Sequence, residues 1–75
     1  MELQDFVKKF AEQLDDTDIS EVQADTVFQD LEEWSSLTAM GIIAFVKTGY
    51  GKILTGKGIR SCETVKDLFD FVQSL

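Results

Sequence analysis

Two adjacent serines, Ser35 and Ser36, stand in the stretch LEEWSSLTAMGIIAFV, between an acidic, tryptophan-bearing approach and the most continuously apolar segment of the chain. Serine does covalent chemistry in two ways that ask different things of its neighbours. As a nucleophile it needs a base to take its proton, normally histidine, and the sequence contains none. No lysine lies near the pair in sequence to replace it, so the chain is expected not to be an enzyme. As a point of attachment a serine needs no catalytic machinery. At the first turn of a helix, unpaired backbone N–H groups and the positive end of the helix dipole favour an anion, so a phosphate esterified to a hydroxyl there is electrostatically accommodated. The plain alternative is that the serines only cap a helix, a role for which serine is strongly favoured.

The remaining reactive residues offer less. Cys62 is the single cysteine, which excludes an internal disulfide and, with histidine absent, leaves too few ligands for structural zinc. It reads as a plain buried or incidental thiol. Asp15, Asp16 and Asp18 lack the glycine and terminal glutamate of a calcium loop, so no metal site is expected. The formal charge of −7 argues against nucleic acid as a partner, because phosphate contacts need clustered bases. That charge is uneven: residues 1–33 hold 11 of the 14 acids and only Lys8 and Lys9. Such a polarised field steers partners with basic patches, and acidic faces also serve solubility.

The elements that must position the serines are helical. A chain of 75 residues makes one domain, residues 1–75, with a small core. Leu3, Phe6, Val7, Phe10 and Leu14 recur at three- and four-residue steps and predict a first helix over about 2–14. The segment DDTDISEVQADTVFQDLEEW is rich in residues that compete for backbone hydrogen bonds and predicts a loop, with Ile19, Val22, Val27, Phe28 and Leu31 anchoring it across the bundle. A second helix is expected from Ser36 to about Thr48, ended by Gly51 in a left-handed conformation. Its apolar residues lie nearly all round, which fits a central helix or one partly exposed to a partner. Gly41 within it is expected to serve close packing or close approach, since an interior glycine costs about 1 kcal/mol relative to alanine. Ile59 is expected to pin a short helical turn. In TVKDLFDFVQSL, Thr64 and Asp67 have the spacing of a capping box, and Val65, Leu68, Phe69, Val72 and Leu75 form the inward stripe of a last helix. No strand alternation or repeat is visible. The expected fold is all-α, three main helices plus a short one.

The segment LEEWSSLTAM, followed by YG, IR and ETVKDLFDFV, resembles an acyl carrier protein, and the resemblance covers essentially the whole chain. In that family an Asp-Ser-Leu triplet opens the second helix, and its serine bears 4′-phosphopantetheine, donated by coenzyme A, through a phosphodiester. The resemblance implies that Ser36, preceding Leu37, is the attachment residue, with Ser35 as the helix cap beside it. Ser35 stands where the family has aspartate. Family members also display acids along the second helix, whereas this helix offers Thr38, Gly41, Lys47 and Thr48.

The resemblance further implies a small four-helix bundle that carries acyl groups as thioesters in fatty-acid or related lipid or polyketide biosynthesis. Its partners would be a phosphopantetheinyl transferase and acyl-transferring or condensing enzymes. Asp30, Glu32 and Glu33, upstream of the serines, with Leu37 and Met40, are the expected partner contacts. Leu37, Met40, Ile43, Val46, Ile59 and Leu68 are the expected lining of an acyl pocket, and would serve equally as ordinary core. A helical interaction module, a degenerate carrier that is not modified, and an aminoacyl or peptidyl carrier are the alternatives. Without the basic start and apolar core of a signal peptide, or the roughly 20 apolar residues of a membrane span, the chain is expected to be cytoplasmic and monomeric, with no membrane partner.

Overall fold

The computed structural model describes residues 2–75. The chain forms four helices, α1 (Leu3–Glu12), α2 (Ser36–Tyr50), α3 (Gly56–Arg60) and α4 (Val65–Ser74), and the apolar stripes of α1 and α4 turn inward. Two single 3-10 turns, Ile19–Glu21 and Phe28–Asp30, lie in the long connection between α1 and α2. Among the described residues there is no strand, only an isolated antiparallel bridge between Val27 and Thr64. The fold is a small all-α bundle.

One core runs through it. Phe6 and Phe10 of α1, Ile42 and Val46 of α2, Ile59 of α3, and Leu68 and Val72 of α4 are buried together with Val22 and Phe28 from the connection. Burying each such side chain contributes about 1.5–3 kcal/mol, which is how so short a chain offsets its ordering entropy. Phe6 is the hub, with ring centroids 5.6 Å from Phe45 and 5.5 Å from Phe69.

The helix ends follow local chemistry. The Thr64 side chain accepts from the Asp67 backbone N–H while the Asp67 carboxylate accepts from that of Thr64, each at 3.1 Å, completing the expected capping box. Gly51 ends α2 at φ 68°, in the left-handed region that favours glycine. The connection is anchored by its backbone: Val65 donates to the Thr26 carbonyl and Lys66 to that of Ala24, while the Gln29 side-chain amide reaches the Cys62 carbonyl at 3.0 Å.

Several expectations need correction. The first helix stops at Glu12, leaving Leu14 buried beyond its end, and α2 continues past Thr48 to Tyr50. Ile19 is not an anchor but is 51% exposed, and Leu75 is exposed rather than part of the inward stripe. Gly41 serves no close packing, since a Cβ built there meets no atom within 4 Å. The glycine that does is Gly58 in α3, whose Cβ would come within 2.7 Å of the Phe71 ring.

Candidate functional site

The site is built where the connection enters α2. Trp34 stacks on Phe10, ring planes 3° apart, and meets Phe28 edge-on with centroids 4.9 Å apart. Its indole fixes the chain two residues before Ser36. Ser35 then takes an extended conformation (φ −156°, ψ 174°), and its hydroxyl accepts from the Thr38 backbone N–H at 3.3 Å. The Thr38 hydroxyl in turn donates to the Glu33 carbonyl at 3.1 Å. With the cap filled by Ser35, Ser36 is the first helical residue of α2 and is exposed. Its hydroxyl stands where first-turn N–H groups and the helix dipole favour negative charge.

Beside Ser36 a cleft of about 410 Å³ opens between α2 and α3. Met40 and Ile43 of α2 face Ile59 and Arg60 of α3 across it, and Trp34 closes one side. The structure thus brings Ser36 together with Met40, Ile43 and Ile59. It does not bring the other expected lining residues. Val46 and Leu68 are fully buried core, and Leu37 is 78% exposed, turned about 100° round the helix from Ser36. Arg60 and Trp34 were not among the expected lining; a cleft between two helices depends on how they cross, which periodicity alone does not encode.

The acidic approach divides. Asp30 and Glu32 are exposed and border a separate cleft of about 740 Å³ with Asp16 and Glu21. Glu33 lines that same cleft, and its carboxylate is also tied within the chain. One of its oxygens accepts from the Asp15 backbone N–H at 2.6 Å, and the other from the Asp16 N–H at 3.0 Å and the Thr17 hydroxyl at 2.7 Å. The Thr17 hydroxyl above all, with those amides, holds the Glu33 carboxyl below its ordinary pKa. Glu33 thereby closes the loop that follows α1, a role with no local signal because its partners lie 16 to 18 residues away.

Cys62 is 7% exposed, and burial pushes its thiol up, away from the thiolate a nucleophile needs. Among the described residues no group of three or more His, Cys, Asp or Glu is placed to hold a metal ion, and no helix is long and apolar enough to cross a membrane. No family model matches the sequence, and no characterised protein or solved structure matches it.

Proposed function

We propose that the chain is an acyl carrier. Ser36 bears 4′-phosphopantetheine, attached by a phosphopantetheinyl transferase, and acyl groups ride on it between acyl-transferring and condensing enzymes of fatty-acid or related lipid or polyketide synthesis. The observation that carries this reading is the division of labour between the two serines: Ser35 fills the helix cap, and Ser36 stands exposed as the first residue of α2. A sealed Ser36 hydroxyl would leave nowhere for a tether to grow.

The residues around Ser36 fit such a group. The Ser36 hydroxyl oxygen forms the new bond to the phosphorus of coenzyme A nearest the pantetheine arm, adenosine 3′,5′-bisphosphate leaves, and the hydroxyl proton passes to a base of the transferase, since this chain has none nearby. The dipole of α2 then favours the phosphodiester charge. Once attached, the arm supplies a terminal thiol for thioester chemistry, and the chain contributes attachment, orientation and recognition. Ile43 and Ile59 give the cleft beside Ser36 an apolar wall against which the first part of a cargo can lie.

The test is intact mass after incubation with coenzyme A and a broad-specificity phosphopantetheinyl transferase. A gain of one phosphopantetheine that disappears in Ser36→Ala and survives in Ser35→Ala is the expected result. No gain with any transferase overturns the carrier in favour of a helical interaction module.

A further inference from the structure

The exposed face of α2 that begins at Ser36 carries no carboxylate. At 100° per residue, Ser36, Met40, Ala44, Lys47 and Leu37 share an arc of about 100°, and all five are exposed. Leu37 and Met40, three positions apart on that arc, are 78% and 65% exposed. Large apolar side chains grouped this way mark an interaction surface. Charge then selects the occupant. Between Trp34 and Cys62 the sequence has four bases, Lys47, Lys52, Lys57 and Arg60, and no aspartate or glutamate. Lys52 is engaged, its ammonium donating to the Leu75 carbonyl at 2.7 Å. Lys47, Lys57 and Arg60 are exposed, and the ion pairs among the described residues, Lys9–Asp5 and Lys66–Asp70, involve none of them. Arg60 reaches the same cleft as Ser36.

We infer that the enzymes that serve Ser36 dock on this α2–α3 face through a surface of apolar side chains bordered by carboxylates. The inference rests on the carrier reading for the identity of the occupant. An anionic membrane would also attract the three cations, but it presents a plane of charge. Over a Debye length of about 8–10 Å that plane also meets the acidic part of the chain. Asp30 shares a second cleft with Arg60, so the boundary between the two fields lies at the edge of the face. A protein surface can match the cationic face and stop short of the acids. A second copy of the chain is opposed by the mutual repulsion of two molecules of charge −7.

The test is an amide-shift titration of the isotope-labelled, unmodified protein at low salt. The probes are a designed amphipathic helical peptide of leucine and glutamate, its leucine and lysine counterpart, and phosphatidylglycerol vesicles. The glutamate peptide is expected to shift the amides of Leu37, Met40, Ala44, Lys47 and Arg60. The double variant Lys47→Glu/Arg60→Glu, with its other amides unmoved, should weaken that binding about tenfold or more, as should added salt. The inference is overturned if the lysine peptide binds this face as tightly, if charge reversal leaves the affinity unchanged, if only vesicles bind, or if these amides shift with protein concentration alone. The two proposals fail separately. Docking of the glutamate peptide on a protein whose Ser36 no transferase can load would remove the carrier and leave the face; loading without docking would do the reverse.

Discussion

The hydroxyl of Ser35 lies 3.3 Å from the backbone nitrogen of Thr38 and 3.3 Å from its hydroxyl, so one side chain closes the entry to α2. Serine at this position does the structural work of an aspartate without its charge. Ser35→Ala is therefore expected to lose about 1 kcal/mol, which in a domain of this size lowers the melting temperature by about 4–8 °C. Ser35→Asp keeps the acceptor and adds a favourable charge at the positive end of the dipole, so its melting temperature should match or exceed that of the parent. Thermal unfolding of the three proteins decides it. Equal melting for Ser35→Ala and the parent would mean that the cap contributes nothing.

Glu33 makes the stability of the connection depend on acid. Its carboxyl titrates below the ordinary range for a glutamate, chiefly because the charged form accepts from the Thr17 hydroxyl. A group whose folded pKa is depressed contributes stability that is present above its unfolded pKa and lost as pH falls through the folded value. Asp18, held down by the Ser20 backbone N–H, and Asp67, held down by that of Thr64, act in the same direction below the ordinary aspartate range. Glu33→Gln should be less stable than the parent at neutral pH, with the two converging as the medium becomes more acidic than about pH 4. Denaturant midpoints measured across that range check it; parallel profiles would show that the Glu33 contacts do not contribute.

Cys62 is predicted to be protected. Its thiol is buried and donates to the Gly58 carbonyl at 3.4 Å, and burial raises its pKa. Alkylation by iodoacetamide at mildly alkaline pH should run about tenfold or more slower than for an exposed cysteine, and should reach the ordinary rate once denaturant unfolds the chain. Fast alkylation of the folded protein would place the thiol at the surface and contradict the packing of α3.

What could be read from the sequence was what local geometry decides. The capping box at Thr64 and Asp67, the left-handed Gly51, and the inward positions of Phe6, Phe10, Leu68 and Val72 each follow from a few neighbouring residues, and the structure has them. The exposure of Ser36 likewise follows from its place just after a residue able to cap. What was not legible depends on distant pairs. Nothing near Glu33 signals that Asp15, Asp16 and Thr17 will surround it, and nothing near Ile19 signals that it faces solvent while Val22 is buried. Which apolar residues of α2 border the cleft and which enter the core is set by the placement of α3 against α2. Ile43 and Val46, three positions apart, therefore part company.

Gly41 and Gly51, ten positions apart in and just after the same helix, should respond to alanine in opposite directions. Gly41 lies inside α2 with open space where a side chain would stand, so alanine there meets no atom within 4 Å and gains what glycine gives up in backbone entropy. Gly41→Ala is expected to raise stability by roughly 0.5–1 kcal/mol. Gly51 sits at φ 68°, where a Cβ approaches the following carbonyl oxygen, and Gly51→Ala should lose about 1–2 kcal/mol although the site is equally uncrowded. Chemical denaturation of both variants alongside the parent gives the order: Gly41→Ala above the parent, Gly51→Ala below it. If Gly41→Ala instead destabilised, the helix would need its glycine for a contact made in solution on the face beside Met40, and the open space there would have to be filled.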